Sequence, residues 1–216
     1  MGCNDRRPLD NTPTTARITG RHNNRIGAVY SSLYAFWSTR HAVANGTTSR
    51  RDAYSVILFN HGHQQILTND FTNSPDRLLD LVLPHGAGGG TNYKPALQVT
   101  QSVMENNWST ERSPVVVFLS DGECSVEDSV TRDLSRRAIA LGRALSFHAV
   151  SFGPHNTSLR RMADIAKDVQ KTAPPDPMHP LVPSSYVEAL DSVRLAETFI
   201  GIANSLTKPR GGLMHT

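Results

Sequence analysis

A chain of 216 residues, 38% of them hydrophobic, is long enough to fill one domain and short for two. Its 22 Lys and Arg exceed its 19 Asp and Glu by only +3, and they are scattered without interleaved aromatics, which excludes the concentrated basic face of a nucleic-acid binder. Cys3 and Cys124 lie too far apart in sequence to suggest a disulfide framework, and no apolar run approaches the roughly 18 residues that span a bilayer.

The first twenty residues are polar, with Pro8 and Pro13 among Thr, Asn and Arg, and read as a loop or disordered arm ending near residue 23. No secretory leader is visible there, so the cytoplasm is the expected location, and the sequons headed by Asn45, Asn107 and Asn156 would matter only in a secreted protein. Gly2 and Cys3 stand where an acylation signal would place myristoyl and palmitoyl groups, although Arg6 occupies the position that normally holds Ser or Thr.

From Asn24 the pattern turns helical. Ile26, Val29, Leu33, Phe36 and Trp37 recur at spacings of three and four, which predicts a core-facing helix to about Ala44. The apolar run from Ala53 to Asn60 predicts a central strand, and Gln64 to Thr68 an antiparallel edge strand returning from the turn at Gly62. Leu78 to Leu83 suggests a short helix. A glycine loop follows over Gly86 to Gly90, and then a helix from Thr91 to Met104 with Pro95 in its first turn.

Val115 to Leu119 is an unbroken, β-branched run bounded by Pro114 and by Ser120-Asp121-Gly122, the signature of a buried parallel strand. A carboxylate at the carboxyl end of such a strand occupies the crevice where open α/β sheets bind ligands, which singles out Asp121. Beyond it the pattern predicts a helix over 126–142, a strand over 145–152, a helix over 158–168, a proline-rich connector, an edge strand over 184–189 and a last helix over 195–206. Strands alternating with helices imply a mostly parallel sheet covered on both faces.

Several chemistries fail on residue type. The loop HGAGGGTNYKPA lacks the Lys followed by Ser or Thr of a phosphate loop, and its glycines do not fit a dinucleotide fingerprint. His61, His63 and His85 offer nitrogen ligands, but no CxxC or HExxH pattern accompanies them. Ser120 and Ser151 lack a G-x-S-x-G setting for serine hydrolysis.

GGGTNYKPAL followed by VVVFLSDGE resembles the second and third metal motifs of the von Willebrand factor type A (VWA) family, and the resemblance covers residues 24–207, leaving an arm over 1–23 and a tail over 208–216. It implies an α/β fold of three layers, a doubly wound, mostly parallel sheet with helices on both faces. It also implies a metal-ion-dependent adhesion site that holds Mg²⁺ or another divalent cation and is completed by an acidic side chain of a protein partner. Carried over by position, Thr91 would be the threonine ligand and Asp121 the aspartate acting through water. Gly89, Gly90, Thr91, Asn92, Asp121, Gly122 and Glu123 would form the partner-binding face.

The family's first motif, Asp-x-Ser-x-Ser at the end of a central first strand, has no counterpart in this sequence, since neither Asp5 nor Asp10 is followed by Ser-x-Ser. The expected site is therefore incomplete and its Mg²⁺ affinity low, because that ion gives up water reluctantly. The first strand would lie between those at 53–60 and 115–120. Without it, the two close on each other, or residues 14–20 substitute, or the chain is a fragment of something longer, the reading preferred over a degenerate copy. The functional expectation is a non-enzymatic protein-interaction domain with a degenerate adhesion site. The alternatives are a remnant without binding activity and a metal-assisted hydrolase using Asp121 and Glu123.

Overall fold

Local chemistry sets most element boundaries in the structure, a computed structural model that describes residues 6–45, 52–176 and 181–206. The elements in chain order are α1 (Thr15–Thr19), α2 (Arg25–Asn45), β1 (Tyr54–Phe59), β2 (His63–Asp70), α3 (Pro75–Val82), α4 (Tyr93–Asn106), β3 (Val115–Ser120), α5 (Asp128–Ala140), β4 (Ser146–Ser151), α6 (Thr157–Gln170), β5 (Ser185–Glu188) and α7 (Ser192–Ser205). Ser74 caps α3 by accepting from the Arg77 amide, with Pro75 in the first helical position, so this helix begins a turn earlier than its apolar residues suggest. Asn92, Asn156 and Asp191 cap α4, α6 and α7 in the same way.

The strands form two sheets. β1 and β2 make an antiparallel hairpin, while β3, β4 and β5 form a parallel sheet in that order. Helices cover both faces. Ile18 of α1, Tyr30 and Trp37 of α2, Leu79 of α3 and Phe199 of α7 gather with Val150 and Phe152 into one core. Tyr93 and Leu97 of α4, Leu134 of α5 and Leu159 and Met162 of α6 gather with Phe118 and Phe147 into the other. The three-layer α/β architecture predicted from alternating strands and helices is the one found.

Two expectations about the amino end are corrected. Residues 14–20 are neither loop nor substitute strand: they hold α1, whose Ile18 is completely buried, because an isolated apolar side chain among polar ones gains more in the core than in an arm. The strands predicted at 53–60 and 115–120 do not close on each other either, and among the described residues no strand lies between β1 and β3. Gly2 and Cys3 lie outside the described residues, as does the tail from 207 onward. Among the described residues no helix is long and apolar enough to cross a membrane.

Candidate functional site

The carboxyl ends of β1 and β3 meet the glycine loop, and each part of that loop has an identifiable support. Asn60, just past β1, donates from Nδ2 to the Gly88 carbonyl (2.9 Å), accepts at Oδ1 from the Gly62 amide (3.0 Å) and at its own carbonyl from the Asn92 amide (2.8 Å). His61 Nδ1 accepts from the Gly90 amide at 2.8 Å. A Cβ at Gly90 would fall 2.5 Å from the His61 ring, and Gly89 has a φ of +80°, so the glycines serve a close approach of the loop to the Asn60–His61 turn.

Thr91 lies against Gly122, the residue after Asp121. A Cβ at Gly122 would lie 2.5 Å from Thr91 Oγ1, which places the threonine hydroxyl directly on the backbone after β3. Thr91 is not the cap of α4, since Asn92 Oδ1 accepts the Lys94 amide. The Gly122 carbonyl is in turn held by the Tyr93 hydroxyl, by Ser120 Oγ (3.0 Å) and by Asn156 Nδ2 (2.9 Å). Burial of Tyr93 pushes its phenol pKa up and keeps it a proton donor to that carbonyl.

The acidic groups are engaged within the fold. Arg25 Nη1 lies 3.1 Å from Asp121 Oδ2, with 18% and 15% of the two side chains exposed. Arg25 is the first residue of α2, an end where the helix dipole disfavours a cation, and the Asp121 carboxylate offsets that placement. Glu123 accepts from the Thr157 hydroxyl and from the Thr157 amide (3.2 Å) at the start of α6. The Thr157 hydroxyl is the main reason the Glu123 carboxyl lies below the usual range.

A hard dication needs several oxygen ligands at one point. Among the described residues no group of three His, Cys, Asp or Glu side chains is assembled to hold one, and Asp121, the predicted aspartate, already carries a guanidinium. Sequence reasoning missed Arg25, Asn60, Tyr93 and Asn156. Only Asn156 left a signal, as a cap residue followed by Thr and Ser, and the buried Asn156 amide is taken up by the Gly122 carbonyl, the Tyr93 hydroxyl (3.2 Å) and the Leu159 amide (2.9 Å).

Comparison with known proteins agrees with this architecture. No match is found among curated protein sequences. Among solved structures, proximal thread matrix protein 1 from the mussel byssus superposes with a TM-score of 0.55 at 13% identity, covering 89% of this chain and 44% of that one. A von Willebrand factor type A protein from Catenulispora acidiphila gives 0.54 at 17% identity, over 82% of this chain and 38% of that one. The SpRpn10 VWA domain gives 0.56 at 11% identity, over 86% and 87%. This chain thus spans less than half the length of the first two proteins, and at these identities the likeness is one of fold. Another structure of the mussel protein has a zinc-occupied adhesion motif. The family model for the von Willebrand factor type A domain matches residues 16–123, and the chain belongs to that family.

Proposed function

We propose that this chain is a non-enzymatic protein-interaction domain that docks a partner on the loops at the carboxyl ends of β1 and β3, with a degenerate adhesion site in which an ion pair stands in place of a cation. VWA domains are typically protein-interaction domains. The Arg25–Asp121 pair carries the finer reading. It neutralises the carboxylate that a cation would otherwise neutralise, and it sets a guanidinium near Thr91 and Gly122, where an acidic side chain of a partner finds a charge-assisted hydrogen bond. Catalysis is disfavoured because Asp121 and Glu123 are both held by internal partners, leaving neither poised as a general base.

Site-specific photo-crosslinking in cells tests this. A photoreactive side chain at Gly88, where a Cβ meets open space, captures a partner, and one at the exposed Ser102 of α4 does not. Equal capture at the two positions, or none at Gly88, refutes the docking face. Saturable Mg²⁺, Mn²⁺ or Zn²⁺ binding by titration calorimetry that disappears in Asp121→Ala refutes the degenerate site. Turnover of a phosphoester or acyl ester lost in the same variant refutes the non-enzymatic reading.

A further inference from the structure

A second site stands apart from the carboxyl-end loops, on the α7 side of the parallel sheet. Side chains alternate along β4 between the two cores: Phe147 and Ala149 enter the one built on α4, α5 and α6, and Val150 enters the one shared by α2 and α7. His148 lies on the same face as Val150 and is 3% exposed. Its Nδ1 is 2.8 Å from Ser185 Oγ on the neighbouring strand β5, whereas Nε2 has no partner among the described residues. A buried polar atom without a partner destabilises a fold, and an apolar side chain in the middle of this strand would avoid that cost.

Nε2 is at the end of the ring farthest from the backbone, and the ring lines a cavity of about 420 Å³ between β5 and α7. Cavities of that order hold small molecules. Val187 and Ile202 give this one apolar walls, and Ser185 and Thr198 add hydroxyl groups. Arg194 and Glu197, the charged side chains at its border, pair with each other at 3.2 Å. Gly201 completes the wall from inside α7, where glycine costs helix stability. No close packing asks for it: beyond its own helix backbone, a Cβ there meets no atom within 4 Å, so the glycine leaves open a space that any other residue would begin to fill.

We infer that this cavity binds a small, un-ionised and largely apolar molecule, an alcohol or phenol, whose hydroxyl group partners His148 Nε2. Burial lowers the His148 pKa to about 4, so the ring is neutral near pH 7. A neutral ring meets Ser185 in two ways. Nδ1–H donating to Ser185 Oγ leaves Nε2 an acceptor, and Ser185 Oγ–H donating to Nδ1 leaves Nε2–H a donor. A hydroxyl group both donates and accepts, and so satisfies either tautomer. A carboxylate only accepts and an ammonium only donates, and each would lose its water beside an uncharged ring with the border charges already paired.

The test is nitrogen NMR of the His148 imidazole in the full chain, titrated to millimolar concentration with 4-methylphenol, with toluene, which lacks the hydroxyl, and with 4-methylbenzoate, which carries a charge. 4-Methylphenol should shift Nε2 saturably and bind about five- to ten-fold more tightly than toluene, the worth of one neutral hydrogen bond, with 4-methylbenzoate weaker than 4-methylphenol. His148→Phe keeps a ring in the strand and should bring 4-methylphenol and toluene to equal affinity. Gly201→Leu favours the helix, fills the cavity and should abolish binding of both. The inference is overturned if no probe binds, if 4-methylphenol and toluene bind the unaltered chain alike, if 4-methylbenzoate binds more tightly, or if Gly201→Leu binds as well as its parent. An Nε2 that is already hydrogen-bonded in the free chain and does not respond to 4-methylphenol overturns it too, since the chain then supplies the partner itself.

Discussion

Breaking the Arg25–Asp121 pair from one side leaves its partner charge poorly solvated, and the burial of both groups sets the size of the effect. Removing one partner of a fully buried pair costs about 3–5 kcal/mol, while exposed pairs are worth about 0–1 kcal/mol. With 18% and 15% of the side chains exposed, this pair lies between those limits. A loss of about 2 kcal/mol is expected for Arg25→Gln, and a similar loss for Asp121→Asn. In a domain of this size that corresponds to a Tm lower by about 4–8 °C. The pair is isolated by a double-mutant cycle in urea, in which the doubly substituted chain, with neither charge present, loses less than the two single losses added together. A coupling of about 1–2 kcal/mol is expected. Additive losses, within about 0.5 kcal/mol, would show that the two side chains act independently, and the reading of the guanidinium as a substitute for a cation would fall with them.

Three further outcomes test the surroundings of the site. Burial of His148, with Nδ1 2.8 Å from Ser185 Oγ, lowers its pKa from 6.5 to about 4. The unfolded chain then takes up a proton below about 6.5 that the folded chain refuses until about 4, so stability falls as pH falls through that window. Urea titrations should show His148 contributing about 2 kcal/mol of the loss between about pH 7 and 5, and His148→Gln should flatten that limb. Gly122→Ala, with its Cβ 2.5 Å from Thr91 Oγ1, should cost about 1–3 kcal/mol, and the added substitution Thr91→Ala should restore part of it in the same denaturation assay. Asn156→Ala removes the cap of α6 together with the bond to the Gly122 carbonyl and should cost about 2 kcal/mol, whereas Asn156→Ser keeps the cap and should cost about half as much.

What could be read in the sequence was whatever depends on neighbouring residues. Val115 to Ser120 announced itself as a parallel strand because burial on both faces demands an unbroken apolar run, and the amphipathic spacing in α6 follows from helical geometry in the same way, whereas the single apolar stripe expected for α2 is not what is found, since residues 26–32 are buried all the way round. The approach of Thr91 to the loop after β3 was legible only through resemblance to a family whose loops meet there. Arg25 is 96 residues from Asp121, and nothing in the residues around either one signals the pairing. Tyr93 reads as an ordinary first-turn residue, and its hydroxyl contact with the Gly122 carbonyl requires the close packing of α4 on the loop after β3. Helix α1 was missed for a different reason: five residues are too few for a periodic pattern, and only the burial of Ile18 explains why the turn is helical.

The ion pair and the divided sheet meet at the same place, the carboxyl end of β3. Asp121 follows a strand whose far edge has no strand partner among the described residues, and a carboxylate 85% buried needs a countercharge. Arg25 supplies that charge from the start of α2, at the cost of opposing the helix dipole. A cation bound directly at Asp121 Oδ2 would compete with Arg25 Nη1, which lies 3.1 Å from that oxygen. On the proposed docking face, Arg25→Gln should weaken binding of a partner that presents Asp to that guanidinium and leave binding of its Asn counterpart unchanged, as measured by titration calorimetry; equal losses for the two would refute recognition of a carboxylate by Arg25.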